Sequence, residues 1–304
     1  MHIKARVLAP AKHIYRGVIT NPDRWATWLP REGDILVCTP SKCGTTWTQT
    51  ILTMLVHGGP DLPAPVPVLS PWVDADLGVP PEEVAAALAG QSGRRVVKTH
   101  TPADGFPVWQ GVNVVAVYRH PLDMFFSLRK HTANRRDAGD DHATLGPVSE
   151  AIDSFLEGSA EAVDFDKDTL ASMVHHFRKT ALSGRLPKLG LFHYADMIRD
   201  GRAAVKVLAR AAGIAADPAV IDAVTAATTF GAMKANPAQY VPVAGTGFWK
   251  SDVAFFDSSS SRKWEGQLSE DQLARYHAQL ELLLPDAGAR NWLEHGGPWN
   301  RQAR

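Results

Sequence analysis

Lys42, Lys98, His100 and Arg119 are the side chains whose types and spacing bear on chemistry. Lys42 sits in Pro40-Ser41-Lys42-Cys43-Gly44-Thr45-Thr46, a loop of small and hydroxylated residues between an apolar β-branched run and a helical pattern. A strand, a tight loop and a helix start offer an anion free backbone N–H groups and a positive dipole end. This stretch therefore reads as a phosphate cradle. Lys98 and His100 follow a second apolar run, and Arg119 closes a third. Open α/β sheets hold ligands at such strand ends. A histidine there, two residues from a lysine, is a candidate functional residue, and the lysines suit a group carrying negative charge.

The cradle departs from the Walker pattern, which places its lysine after the second glycine. Here Lys42 precedes Gly44, and Thr45, Thr46 and Trp47 open the helix. A nucleotide kinase or ATPase also needs carboxylates for Mg²⁺, yet the later strands end in Lys98 and Arg119. Cationic strand ends without a metal-holding acid suit a transferred group with one negative charge. Catalysis then rests on Lys, His and backbone N–H groups, with no metal.

These residues must be positioned by a parallel sheet. Residues 35–39, 94–98, 112–118 and 189–194 read as buried strands, the last ending in Tyr194. Helical patterns run through 48–56, 82–89, 121–130, 170–182, 203–212, 217–226, 271–284 and 289–294. The expected fold is α/β, a P-loop-like three-layer arrangement with a central parallel sheet flanked by helices. It is expected to form one domain over 1–304. Residues 131–168 are the least regular and read as a mobile segment near the acceptor mouth. His142 beside Asp140 and Asp141 reads as a solvated turn rather than a metal site, and His175-His176 as a poor ligand pair.

The 304 residues are 45% hydrophobic, with Lys plus Arg equal to Asp plus Glu at 32 each, so no global field points to nucleic acid or a membrane surface. No apolar run approaches the ~18 residues of a membrane span, and the N-terminus lacks a signal-type apolar region. Cys38 and Cys43 do not make a disulfide framework. A cytoplasmic location is expected. Oligomeric state is not legible.

Lys42-Cys-Gly-Thr-Thr-Trp47, Lys98-Thr-His100, and Arg119-His-Pro-Leu-Asp123 with Ser127 resemble the cytosolic sulfotransferase family. Its members move a sulfuryl group from 3'-phosphoadenosine 5'-phosphosulfate (PAPS) to a hydroxyl or amine, leaving adenosine 3',5'-bisphosphate (PAP). Ser70-Pro-Trp-Val-Asp74, Lys98-Thr-His-Thr-Pro102 and Gly247-Phe-Trp-Lys-Ser-Asp252 are most similar to the bacterial branch with the mycobacterial glycolipid sulfotransferases. The resemblance implies His100 as base, with Lys42 and Lys98 stabilising charge. It implies that Thr45, Thr46 and the backbone of Cys43 and Gly44 hold the 5'-phosphate and that Trp47 stacks on adenine. Arg119 and Ser127 would take the 3'-phosphate, with Tyr194, Thr228 and Phe230 at the adenine.

The resemblance weakens near the C-terminus. Family members carry an Arg-Lys-Gly loop over the 3'-phosphate, where this chain has Phe255-Phe256-Asp257-Ser258-Ser259-Ser260-Ser261-Arg262-Lys263. Phe256, Ser258, Ser259 and Arg262 become the candidates, with Lys263 as another source of charge; a flexible surface loop is the competing reading. Trp25, Trp72, Phe106 and Phe248, with Trp28 and Trp109, suggest an apolar, phenolic or glycolipid-type acceptor, although each also suits a core. Two other functions stay open: a catalytically silent PAP-binding module and a metal-dependent nucleotide kinase.

Overall fold

The computed structural model describes residues 3–139 and 142–299. Two short strands, β1 (Val7–Ala9) and β4 (Val108–Trp109), pair antiparallel with each other. The central sheet is built from β2 (Ile35–Cys38), β3 (Val96–Thr99), β5 (Asn113–Tyr118) and β6 (Leu189–His193). These four strands run parallel in the order β3-β2-β5-β6. Val, Ile and Leu dominate β2 and β5 because strands covered on both faces have no solvent side to satisfy. Every residue of β2 is buried.

Successive side chains alternate between faces. Ile35, Val37, Val115 and Val117 meet Ile51, Leu52 and Leu55 of the helix Thr45–His57, which the chain enters directly from the phosphate loop. Leu36, Cys38 and Val97 face the other way, onto Trp28, Val73 and Phe106. Ala116 and Tyr118 pack with Met124 and Phe125 of the helix Pro121–Ala133 and with Phe155 and Phe177. Each such side chain taken fully from water contributes about 1.5–3 kcal/mol.

The central strands lie close to where the apolar runs place them, with one correction. β6 stops at His193, and Tyr194 begins the helix Tyr194–Arg199. The 131–168 segment also holds more regular structure than its sequence suggests. Its helix Val148–Glu157 buries Ala151, Ile152, Phe155 and Leu156 in the core. Asp140 and Asp141 lie outside the described residues. No helix among the described residues is long and apolar enough to cross a membrane.

Candidate active site

Parallel register sets the site. Cys38 pairs with Thr99 and Tyr118 with His193, so the residues that follow β2, β3, β5 and β6 emerge along one edge. Those residues are the Lys42 loop, His100, Arg119 and Tyr194, and all line one cavity of about 790 Å³.

The phosphate loop ends at Gly44, whose φ of 98° belongs to the left-handed region. A Cβ there would lie 2.8 Å from Tyr194 Cδ2, so glycine is required twice over. No side chain caps the helix that follows, which leaves first-turn N–H groups for an anion. Thr46 and Trp47 line the cavity, and Thr45 Oγ1 lies 2.5 Å from Thr39 Oγ1. The Cys43 thiol packs in the core beside Tyr118 and Phe125, which leaves its backbone for a ligand.

Lys42 itself has a φ of 60°, rare for a residue with a Cβ. Its Nζ lies 2.8 Å from His131 Nδ1 and 5.2 Å from the Phe255 ring centroid. Burial, then the charge of Arg119, lowers its pKa to about 7. Lys98 is buried over the Trp72 ring at 4.8 Å, and burial lowers its pKa to about 8. His100 stands T-shaped to Trp72 at 4.5 Å. Its Nδ1 is 2.6 Å from the Thr39 carbonyl oxygen. A carbonyl only accepts, so the proton is on Nδ1 and Nε2 keeps its lone pair. Burial, helped by Lys98, drops the His100 pKa to about 3. Asp74 fixes this turn by accepting from Thr99 Oγ1 at 2.7 Å and Thr101 Oγ1 at 2.6 Å.

Arg119 is buried against the Tyr194 ring, with its guanidinium carbon 4.5 Å from the centroid. Its Nη1 donates to Lys42 O at 3.4 Å and its Nη2 to Ser260 O at 2.6 Å, while Nε has no hydrogen-bond partner. Trp47 Nε1 is likewise buried and unpartnered. Buried donors left over at an uncapped helix start fit a polyanionic nucleotide. Ser127, Tyr194, Thr228, Phe230, Phe256, Ser258 and Ser259 share the cavity, and Thr228 Oγ1 donates back to Val224 O at 2.8 Å.

Arg262 does not join them. Its side chain is 76% exposed and faces Glu265, while Asp123 accepts from the backbone N–H groups of Arg262 and Lys263. The adjacent Lys263 lines the cavity instead, paired with Asp257. Two aromatic expectations also fail. Trp25 and Phe106, with Trp28 and Trp109, form a ring cluster against the far face of the sheet, outside this cavity. Trp72 and Phe248 do line it. His131, Trp249, Phe255 and Asp168 line it as well, and for the last three the sequence pattern alone gives no signal. For His131 a signal does exist: it lies four residues beyond Ser127, on the same helix face.

A nucleotide-type phosphate loop, with lysines and a neutral histidine at the strand ends, defines an α/β group-transfer enzyme. Residues 32–288 match the family model described as the sulfotransferase domain. A glycolipid sulfotransferase of Mycobacterium bovis (strain BCG / Pasteur 1173P2) is 33% identical over 299 residues, covering 90% of this chain and 91% of that one. Mouse sulfotransferase SULT7A1 complexed with PAP superposes with a TM-score of 0.65 at 16% identity, covering 87% of this chain and 88% of that one. A retinol dehydratase in complex with retinol and PAP gives 0.67 at 16%, covering 87% and 84%. These two likenesses speak to the fold. The chain belongs to the sulfotransferase family. It is a PAPS-dependent sulfotransferase.

Proposed function

We propose that this enzyme transfers the sulfuryl group in line from PAPS to a hydroxyl of an apolar, phenolic or glycolipid-type acceptor, as one domain in the cytoplasm. The observation that carries this reading is the His100 tautomer: a neutral imidazole with Nε2 unprotonated in the cavity that holds Lys42 and Lys98. PAPS supplies the sulfuryl group. His100 Nε2 takes the acceptor hydroxyl proton. Lys42 and Lys98 offset the charge that builds on the bridging and sulfuryl oxygens. Arg119 and Ser127 hold the 3'-phosphate, and Trp47, Tyr194 and Phe230 the adenine. The glycolipid sulfotransferase and the retinol complex among the similar proteins support a lipid or other small-molecule acceptor.

Calorimetry with PAP and adenosine 5'-phosphate, with and without Mg²⁺, tests the donor half. Tight binding that needs the 3'-phosphate and not the metal supports it; equal or absent binding overturns it. Turnover by Lys42→Ala and His100→Ala tests the chemistry. Ordinary rates in both variants would sink the catalytic roles of these two side chains.

A further inference from the structure

One wall of the cavity is the segment 164–168. It is pinned on both sides. Phe165 N donates to Arg16 O at 3.0 Å, and Thr169 starts the helix Leu170–Phe177 with a reciprocal capping box to Ser172. Three carboxylates stand on this wall, and two are committed. Asp166 accepts from Ile19 N at 2.5 Å, Thr20 N at 2.9 Å and Thr20 Oγ1 at 2.6 Å. Asp164 is paired with Lys167 at 2.5 Å. Asp168 differs: it lines the cavity together with Ser41, next to Lys42, and the Ser41 side chain favours its ionised form. An ionised carboxylate has about four acceptor positions, so one serine leaves most of its capacity open to the cavity.

We infer that Asp168 selects the acceptor by receiving hydrogen bonds from hydroxyls beside the one that is sulfated, which favours a polyol ring such as a sugar headgroup. This rests on the function proposed above. A carboxylate drawn from water loses free energy unless donors replace it, so an acceptor with one lone hydroxyl leaves Asp168 under-satisfied. An ammonium would also donate. The same cavity, however, carries Lys42, Lys98, Arg119, Arg135, Lys167 and Lys263 against Asp164, Asp166, Asp168 and Asp257, and this excess of cations disfavours a cationic acceptor. Neutral hydroxyls meet Asp168 without that penalty. Met124, Leu128, Phe248 and Trp249 offer apolar wall to the rest of such a molecule.

The test compares kcat/KM for octyl β-glucoside, 2-naphthol and tyramine in the wild type and in Asp168→Asn. The glucoside-to-naphthol ratio should fall about 10- to 100-fold in the variant, mainly through KM, as for a lost hydrogen bond to a charged group. PAP binding reports whether the variant is folded. A ratio within twofold of wild type overturns the inference. So does a collapse confined to tyramine, or a wild type that sulfates naphthol and not the glucoside. If Asp168→Asn does not fold, the wild type decides. Burial pushes the Asp168 carboxyl up to about 6, with Asp166 adding to this and Ser41, Lys42 and Arg135 opposing it. Protonation removes an acceptor, so the ratio should fall as pH drops through about 6; naphthol shares the other titrations and cancels them. A flat ratio there overturns the role of Asp168 alone, whereas PAP binding without sulfation of any acceptor overturns the proposed function too.

Discussion

Lys42 Nζ lies 2.8 Å from Nδ1 of His131, which places an ammonium donor on an imidazole lone pair. The ring is held edge-on to Trp249 at 4.7 Å and to Phe255 at 5.6 Å. Burial keeps the imidazole neutral by lowering its pKa well below the usual value. His131 therefore solvates Lys42 in a place water reaches poorly, and favours its charged form.

Replacing that lone pair should move the alkaline limb of the rate profile. Lys42 titrates at about 7 because burial and Arg119 oppose its charge, and the charged form is the one proposed to stabilise the transferring group. Thus kcat/KM for PAPS should fall as pH rises through the Lys42 pKa. In His131→Phe the fall should begin at lower pH. An unchanged limb would mean that His131 only packs.

As the proposed base, His100 bears on the opposite limb. With its pKa lowered to about 3, the imidazole is neutral across ordinary working pH. The base form is lost only on protonation, so kcat/KM should show no acid limb from His100 near 6.5. Removing it, as in His100→Ala, should lower kcat about 10²- to 10⁴-fold while PAP still binds. A wild-type acid limb at 6.5 that vanishes in this variant would contradict the tautomer and burial argument.

The sheet, and the gathering of Lys42, Lys98, His100 and Arg119 at one cavity, are legible because each depends on short-range pattern. Apolar runs closed by Lys98 and Arg119 mark strand ends, and the small residues around Gly44 mark the loop. The acceptor side depends on long-range packing. Trp25 and Trp72 are the same residue type in similarly irregular stretches, yet one joins a core cluster and the other stands beside His100. Arg262 and Lys263 are adjacent cations, and the backbone path set by Asp123 decides which one faces the cavity. Asp168 lies in a stretch without periodicity, so no local pattern singles it out from Asp164 and Asp166.

Asp34 predicts stability without chemistry. It is fully buried at the entry to β2, 2.5 Å from Arg95 Nη2, and also accepts from Trp28 Nε1 at 3.1 Å and Arg31 N at 2.9 Å. Asp34→Ala leaves a buried guanidinium without its counter-charge, which costs about 3–5 kcal/mol. Urea unfolding should show that loss. PAP affinity of the folded fraction should stay near wild type, since Asp34 lies at the opposite end of the strand from the phosphate loop.

Gly44→Ala should act on both stability and binding. A left-handed residue with a Cβ costs about 1–2 kcal/mol, and the new atom meets Tyr194 at 2.8 Å. Either the loop or Tyr194 must move, and both lie where the nucleotide is proposed to bind. A melting temperature and a PAP dissociation constant that both match wild type would show that the loop tolerates side chains.

Arg119 joins three parts of the site, through Lys42 O, Ser260 O and the Tyr194 ring. The serine-rich segment thus touches the proposed 3'-phosphate position without the family's Arg-Lys-Gly loop. Lys263 adds a cation on the same side, partly neutralised by Asp257. Most of the positive charge available to a 3'-phosphate therefore rests on Arg119. Arg119→Met should weaken PAP binding by about 10- to 100-fold, the loss of a charge-assisted hydrogen bond. Adenosine 5'-phosphate, which has no group there, should lose much less, and Lys263→Met should give a smaller loss in the same direction. Equal losses for both nucleotides in Arg119→Met would instead mean that Arg119 supports the phosphate loop through Lys42 O, and that the 3'-phosphate is read elsewhere.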